Sequence, residues 1–303
     1  MKKCGLCKGK DRLSGSHIIP KFVFDGIKSN SPTGYLRCAS QPNVRRQDGD
    51  KTPLLCANCE RRFGEAERKF AKHVFRPFQE GCVLPLTYGP WLNYFISSVN
   101  WRTLHLDNPE FHTSAKLSGK DLTHFYNAEN VLTDYLLGNR NDIGNIENHI
   151  FFWENMATDD VQLISARPNT MIRSSAFSYS FVDFGHNAYY VYANLAGIII
   201  CTVIRKKADE KWVNTSIQLD GGKIAKPQYI SSPLMYEIGE TITEMSKATM
   251  SEKQSRKLIN SLRANPIAVQ ESKAFRFHEQ DRRLKGNEGT DGGTNSKNRR
   301  IQF

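Results

Sequence analysis

The sequence predicts an α+β protein: a small cysteine-rich module, then a helical segment, then a mainly antiparallel β domain. Three observations carry this. Two Cys-x-x-Cys pairs, Cys4/Cys7 and Cys56/Cys59, bracket a basic N-terminal stretch. Apolar residues then recur at helical spacing as far as about residue 137. From 148 to 236, β-branched and aromatic runs alternate with Gly, Pro and Asn.

The first part, residues 1–80, reads as one module. Its stretch 25–51 is polar and broken by Ser31-Pro32-Thr33-Gly34 and Asp48-Gly49-Asp50, so a long irregular insertion is expected. After Leu54-Leu55-Cys56, the residues Phe63, Glu67, Phe70 and Val74 mark one face of a helix that Pro77 is expected to end. Residues 81–147 read as a helical segment, with Trp91, Tyr94, Phe95, Ser98, Trp101 and Arg102 in helical rhythm. Ser118-Gly119-Lys120-Asp121 has the form of a capping start for a helix over 122–137 that stops at Gly138.

Residues 148–284 read as a β-rich domain with C-terminal helices. Strands are expected at 149–153, 161–164, 177–182, 189–192, 197–204, 212–219 and 228–230. Gly221-Gly222 reads as a hairpin turn between them, and helices are expected at 239–247 and 251–264. Residues 285–303, rich in Gly, Thr, Asn and Ser, read as a disordered basic tail.

With 39% hydrophobic and 11% aromatic residues in 303, the chain has ample material for a core, which excludes a disordered or collagen-like protein. Its most apolar run, 195–204, is far short of the roughly 18 residues that a bilayer span needs. The start Met1-Lys2-Lys3-Cys4 has no apolar run behind it, so no membrane partner, no secretory signal and a cytoplasmic location are expected. The net charge of +11 is uneven: 17 Lys/Arg oppose 8 Asp/Glu in 1–80, 12 oppose 16 in 81–243, and 13 oppose 7 in 244–303. Basic ends attract polyanions because Lys and Arg displace counterions from phosphates, so nucleic acid is the expected partner.

Seven cysteines, an odd number, fit metal binding in a reducing compartment better than a disulfide framework. Cys4, Cys7, Cys56 and Cys59 together offer the ligand set of a closed tetrahedral zinc site. Two unrelated thiol pairs, or a redox Cys-x-x-Cys, are the alternatives; the redox motif would expect a βαβ setting that the pattern lacks. Cys38, Cys82 and Cys201 read as free thiols.

Inside this frame stands Leu13-Ser14-Gly15-Ser16-His17-Ile18-Ile19-Pro20, and after it Leu54-Leu55-Cys56-Ala57-Asn58-Cys59-Glu60. In this order the motifs of residues 4–75 resemble an HNH endonuclease of the His-Me finger group, zinc-knuckle type. The resemblance implies a zinc-stapled ββα-metal module that hydrolyses phosphodiester bonds in double-stranded DNA. It implies His17 as the general base that activates a water, for which an unperturbed pKa of about 6.5 is suited. It also implies a catalytic Mg²⁺ or Mn²⁺ ion on the scissile phosphate. The ion's ligands would be the residue before the histidine and the residue after the last cysteine, here Ser16 and Glu60, where the family pattern has Asp and Asn. A carboxylate at Glu60 is a better hard-cation ligand than an amide, whereas Ser16 lacks the charge of Asp.

Glu67 stands about 10.5 Å along the helix axis from Glu60, too far to share one ion, and reads as a buried pairing group. Arg61, Arg62, Lys21, Lys69, Arg45 and Arg46 are the candidate phosphate contacts. By analogy, such a module joined to unfamiliar domains suggests a restriction or anti-phage effector acting as a homodimer or with a protein activator. The alternative is a catalytically inactive zinc-knuckle module that only holds nucleic acid. His73 reads as a surface residue; His105, His112, His124, His149, His186 and His278 read as structural, and Trp101, Arg102 and Tyr189–Tyr192 as core.

Overall fold

The computed structural model describes residues 2–111, 113, 117–159, 167–185, 187–288 and 301–302. Two short paired strands, β1 (Lys2–Lys3) and β2 (Lys10–Asp11), flank the first cysteine pair. Then follow β3 (Leu13–His17), α1 (Lys21–Asn30), β4 (Leu36–Cys38), β5 (Gln41–Arg46), β6 (Lys51–Cys56) and α2 (Ala57–Phe70). β3 runs antiparallel to β6, with Leu13 opposite Cys56 and His17 opposite Lys51. The expected irregular insertion is in fact structured. Val23 and Ile27, one turn apart on α1, are buried in the same core as Phe70, Val74 and Phe75, and β4 and β5 pair as a hairpin. Nor does the helix after Cys56 end at Pro77. It passes through a π turn, Ala71–Phe75, into α3 (Arg76–Gln79). Pro77 sits in the first turn of α3, and the wider π turn frees the chain from the hydrogen bond that proline cannot donate.

β7 (Leu86–Tyr88) leads into α4 (Trp91–Phe111) and α5 (Gly119–Leu137). α4 is buried on nearly all sides. Leu92, Phe95, Ile96 and Val99 belong to one core and Trp101 and Leu104 to another, so its apolar residues form no single stripe. α5 starts on the expected capping box: Asp121 N–H donates to Ser118 Oγ (3.3 Å) and Ser118 N–H to the Asp121 carboxylate (2.7 Å). It ends at Gly138, whose φ of 81° is left-handed and favours glycine.

The remaining elements are β8 (Glu147–Phe152), β9 (Met156–Thr158), α6 (Pro168–Arg173), β10 (Ala176–Asp183), β11 (Ala188–Leu195) and β12 (Ile198–Arg205). After them come β13 (Lys211–Val213), β14 (Ser216–Ile217), β15 (Gly222–Ile224), β16 (Gln228–Ser231), α7 (Pro233–Ser246), α8 (Glu252–Arg263), α9 (Pro266–Glu271), α10 (Lys273–Glu288) and β17 (Ile301–Gln302). The central sheet has the order β10-β11-β12-β8-β14 and is antiparallel throughout. Its middle strands are buried on both faces. Ile198 and Ile200 pack with α4 residues, while Ile199 and Cys201 pack with Leu234, Ile238 and Ile242 of α7. Burial on both sides is why β12 reads as a continuous apolar run rather than an alternation.

A second sheet, β13-β16-β9-β17, has one parallel pair, β16 with β9. The architecture is therefore mixed α+β, with mainly antiparallel sheets. Other expectations need correction or lie outside the described residues. Gly221-Gly222 does not close a hairpin, because β15 pairs with the distant β7. A side chain on Gly221 would stand 2.5 Å from the Tyr88 carbonyl oxygen, so that close approach is what requires glycine there. The tail is ordered helix as far as Glu288, and β17 pairs with β9, while 289–300 lie outside the described residues. The strand expected at 161–164 also lies outside them, as do His112 and His186. Among the described residues no helix is long and apolar enough to cross a membrane.

Candidate metal centre and active site

Cys4, Cys7, Cys56 and Cys59 come from opposite ends of the N-terminal module, and their sulfurs all lie within 4.8 Å of one another. The Sγ atoms of Cys7 and Cys56 are 3.8 Å apart. Zinc–sulfur bonds of about 2.3 Å at tetrahedral angles put sulfurs about 3.8 Å apart, so the four thiols can hold a metal ion such as zinc. The first knuckle is built by Cys4 N–H donating to Gly9 O (2.9 Å) and Gly5 N–H to Leu54 O (2.9 Å). The knuckle packs closely at Gly5, where a Cβ would stand 2.7 Å from Leu54 Cδ1 and 2.9 Å from His105 Nε2 and would displace those side-chain ends. The second knuckle opens α2, where helix N-terminal N–H groups favour thiolates. Burial resists ionisation of Cys4, yet the N–H groups of Cys56, Cys7 and Leu6 together bring its thiol down to about 7. Burial and the neighbouring sulfurs push Cys59 up. Opposite shifts are what sulfurs at close quarters produce, and a bound cation would favour the thiolate at all four.

Beside the cluster, Ser16 is buried and its hydroxyl donates to the Glu60 carboxylate in the first turn of α2. Leu55 N–H donates in turn to Ser16 Oγ (3.2 Å). Successive strand side chains face opposite ways, so His17 turns from α2 toward the loop before β6. There its Nε2 lies 2.9 Å from Asp48 Oδ1, and Lys51 Nζ lies 2.7 Å from Asp48 Oδ2. Burial works against the Asp48 charge, but the bonds from Lys51, His17 and the Gly49 N–H outweigh it and hold the carboxyl well below the usual range. Among the described residues no hydrogen bond reaches His17 Nδ1, and the side chain is 16% exposed, so water has access to it. Gly49 keeps the loop close: a Cβ there would lie 2.1 Å from the Phe24 ring.

Glu67 pairs with Arg102 of α4 (2.7 Å), as its reading as a pairing group anticipated. Arg102 also donates to the His17 carbonyl oxygen (2.8 Å) and lies over the Phe63 ring. One buried guanidinium thus joins α4, α2 and the end of β3. Neither Asp48 nor Arg102 was assigned to the site by the motif. Asp48 had a legible signal, because pairing 13–17 with 51–56 puts His17 opposite Lys51, three residues past the carboxylate. Arg102 had none, since nothing local shows which helix will cross β3.

The candidate phosphate contacts divide. Lys21 pairs with Asp25 (2.7 Å), Arg46 with Asp50, and Arg62 donates to Leu137 O at the end of α5 (3.0 Å). Arg45 lies over the Tyr35 ring (4.4 Å), Arg61 donates to Asn58 (3.3 Å), and Lys69 is exposed on α2. Exposed His73 and buried His149, Trp101, Arg102 and Tyr189–Tyr192 lie as their surface and core readings expect.

No family model, curated protein or solved structure matches this chain.

Proposed function

We propose that the chain is a metal-dependent endonuclease of HNH type, in which β3, β6 and α2 act as a ββα-metal module on a structural zinc. The observation that carries this reading is the contact of Ser16, the residue before His17 in the chain, with Glu60 in the first turn of α2. The hard oxygens of Glu60 and Ser16 would hold Mg²⁺ or Mn²⁺, which when bound supplies a Lewis acid for a scissile phosphate. Asp48 fixes one ring nitrogen of His17 and Lys51 balances Asp48, so Nδ1 is left to take the proton of an attacking water. Arg45, Arg61 and Lys69 form no ion pair and no bond to a distant main-chain group and so are the cations best placed to meet a duplex backbone, whereas Lys21 and Arg46 pair with carboxylates and Arg62 binds Leu137 O. A cytoplasmic defence effector working as a homodimer or with a protein activator remains the biological setting we propose, by analogy alone.

One observation favours the second reading, a catalytically inactive module that holds nucleic acid. The Ser16 hydroxyl is buried and already both donates and accepts a hydrogen bond. A plasmid-nicking assay with Mg²⁺, Mn²⁺ or EDTA separates the two. The nuclease reading expects metal-dependent nicking, lost by about 10²-fold or more in His17→Ala and increased in Ser16→Asp. A zinc-loaded protein that shifts duplex DNA, yet does not cut it even as Ser16→Asp, supports the binding module instead.

A further inference from the structure

On the far side of the Asp48 loop lies a cavity of about 770 Å³ that the nuclease reading does not use. Its walls come from α1, the β4–β5 hairpin, the end of α4, β10, α7, α8 and α10, so both ends of the chain contribute. The volume falls in the range that small-molecule sites occupy. The lining is mostly apolar and includes four rings: Phe24, Tyr35, Phe177 and Tyr179. The α8 wall is informative. Leu258 and Leu262, one turn apart, face this cavity, and no residue of α8 is buried in the protein's own core. An amphipathic helix whose apolar face meets only a cavity gains its burial when something fills it.

The charges of the wall indicate what fills it. Two of its carboxylates have cationic partners, Asp48 with His17 and Lys51 and Asp50 with Arg46, while the third, Asp107, accepts the Ser180 N–H (2.9 Å) and burial favours its uncharged form. Arg37 has no carboxylate partner among the described residues. Its Nη1 donates to Pro42 O and its guanidinium lies over the Tyr35 ring (5.3 Å), but among the described residues its buried Nε and Nη2 find no hydrogen-bond partner. A guanidinium without a carboxylate partner beside apolar, ring-lined walls suits a ligand with one acidic group.

We propose that this cavity binds a small amphipathic anion, with a flat ring-bearing apolar body lying against α8 and β10 and a single acidic group meeting Arg37. Asp48 and Gly49 belong both to this wall and to the loop that holds His17, so an occupant would also set the His17 geometry. That corollary rests on the nuclease reading; the binding site itself does not.

The full chain is titrated with 1-anilinonaphthalene-8-sulfonate, an aromatic body bearing one sulfonate, and fluorescence is read. The expected result is a single saturable site per chain. Leu262→Trp, on the exposed helix, should weaken binding by about tenfold without lowering the unfolding temperature. Arg37→Gln should weaken it by about fivefold while leaving uncharged N-phenyl-1-naphthylamine unaffected. Non-saturating binding, or binding indifferent to Leu262→Trp, overturns the site. Tighter binding of the cationic dye auramine O overturns the charge assignment. Nicking measured on the same samples keeps the two ideas apart. Dye binding without cleavage in any variant sinks the nuclease reading alone, and cleavage without dye binding sinks the cavity alone.

Discussion

At 2% exposure, the Arg102 guanidinium replaces its water shell with Glu67, the His17 carbonyl, the Ser98 carbonyl and the face of Phe63. A buried charge tolerates this only while its partners stay in place. Arg102→Met should therefore cost about 3–5 kcal/mol in denaturant unfolding, and pairing it with Glu67→Gln should recover part of that loss, since no carboxylate is then left alone. Asp107 is the opposite case. Burial raises its pKa from 3.8 to about 6 against the hydrogen bonds from Ser180. The folded protein thus holds this proton more tightly than the unfolded chain, so stability from this group is greatest below the unfolded pKa and falls as the pH rises toward about 6. Asp107→Asn should raise stability by about 2 kcal/mol at pH 8 and leave it unchanged at pH 3.5, as thermal melts at the two pH values would read.

Elements whose ends are written in local chemistry were legible. The Ser118–Asp121 box and Gly138 delimit α5 within a few residues, and Ser118→Ala should cost about 1 kcal/mol in thermal unfolding by leaving the Asp121 N–H without its acceptor. β11 and β12 were equally clear, since strands buried on both faces are rich in β-branched and aromatic residues, and β10 showed aromatic residues alternating with serine. Elements held by distant partners were not. α10 is polar in composition, but its Asp281 receives the N–H groups of Asn169 and Thr170 at the start of α6 (2.9 and 2.8 Å), and its Phe277 lies under Arg173. Those partners stand more than a hundred residues away in the chain. The hairpin of β4 and β5 was hidden for a different reason: its partners are only three to ten residues apart, but its turn residues are equally good in a loop.

Across the whole molecule, the cysteine cluster is not a separate bead. Cys4, Cys56 and Cys59 share a core with Trp101 and Leu104 of α4, Phe125 of α5 and Tyr189 of β11. Metal removal should accordingly be felt beyond the first 80 residues. Chelation of the metal, or Cys59→Ser, should lower the unfolding temperature by on the order of 10 °C, within one transition that includes the α4 tryptophans. A low-temperature transition confined to the N-terminal module, with the tryptophan signal unchanged, would contradict this.

By itself the sequence determined the α+β class, the pairing of two Cys-x-x-Cys knuckles and the elements with local start and stop signals. Residue type and short spacing carry that information, because caps, β-branching and thiol chemistry act over a few residues. The tertiary structure alone decided that Asp48 holds His17, that Arg102 reaches across from α4, and that both ends of the chain wall one cavity. Each of these depends on which surfaces bury against one another, a choice made by the summed burial of the whole chain rather than by any segment of it.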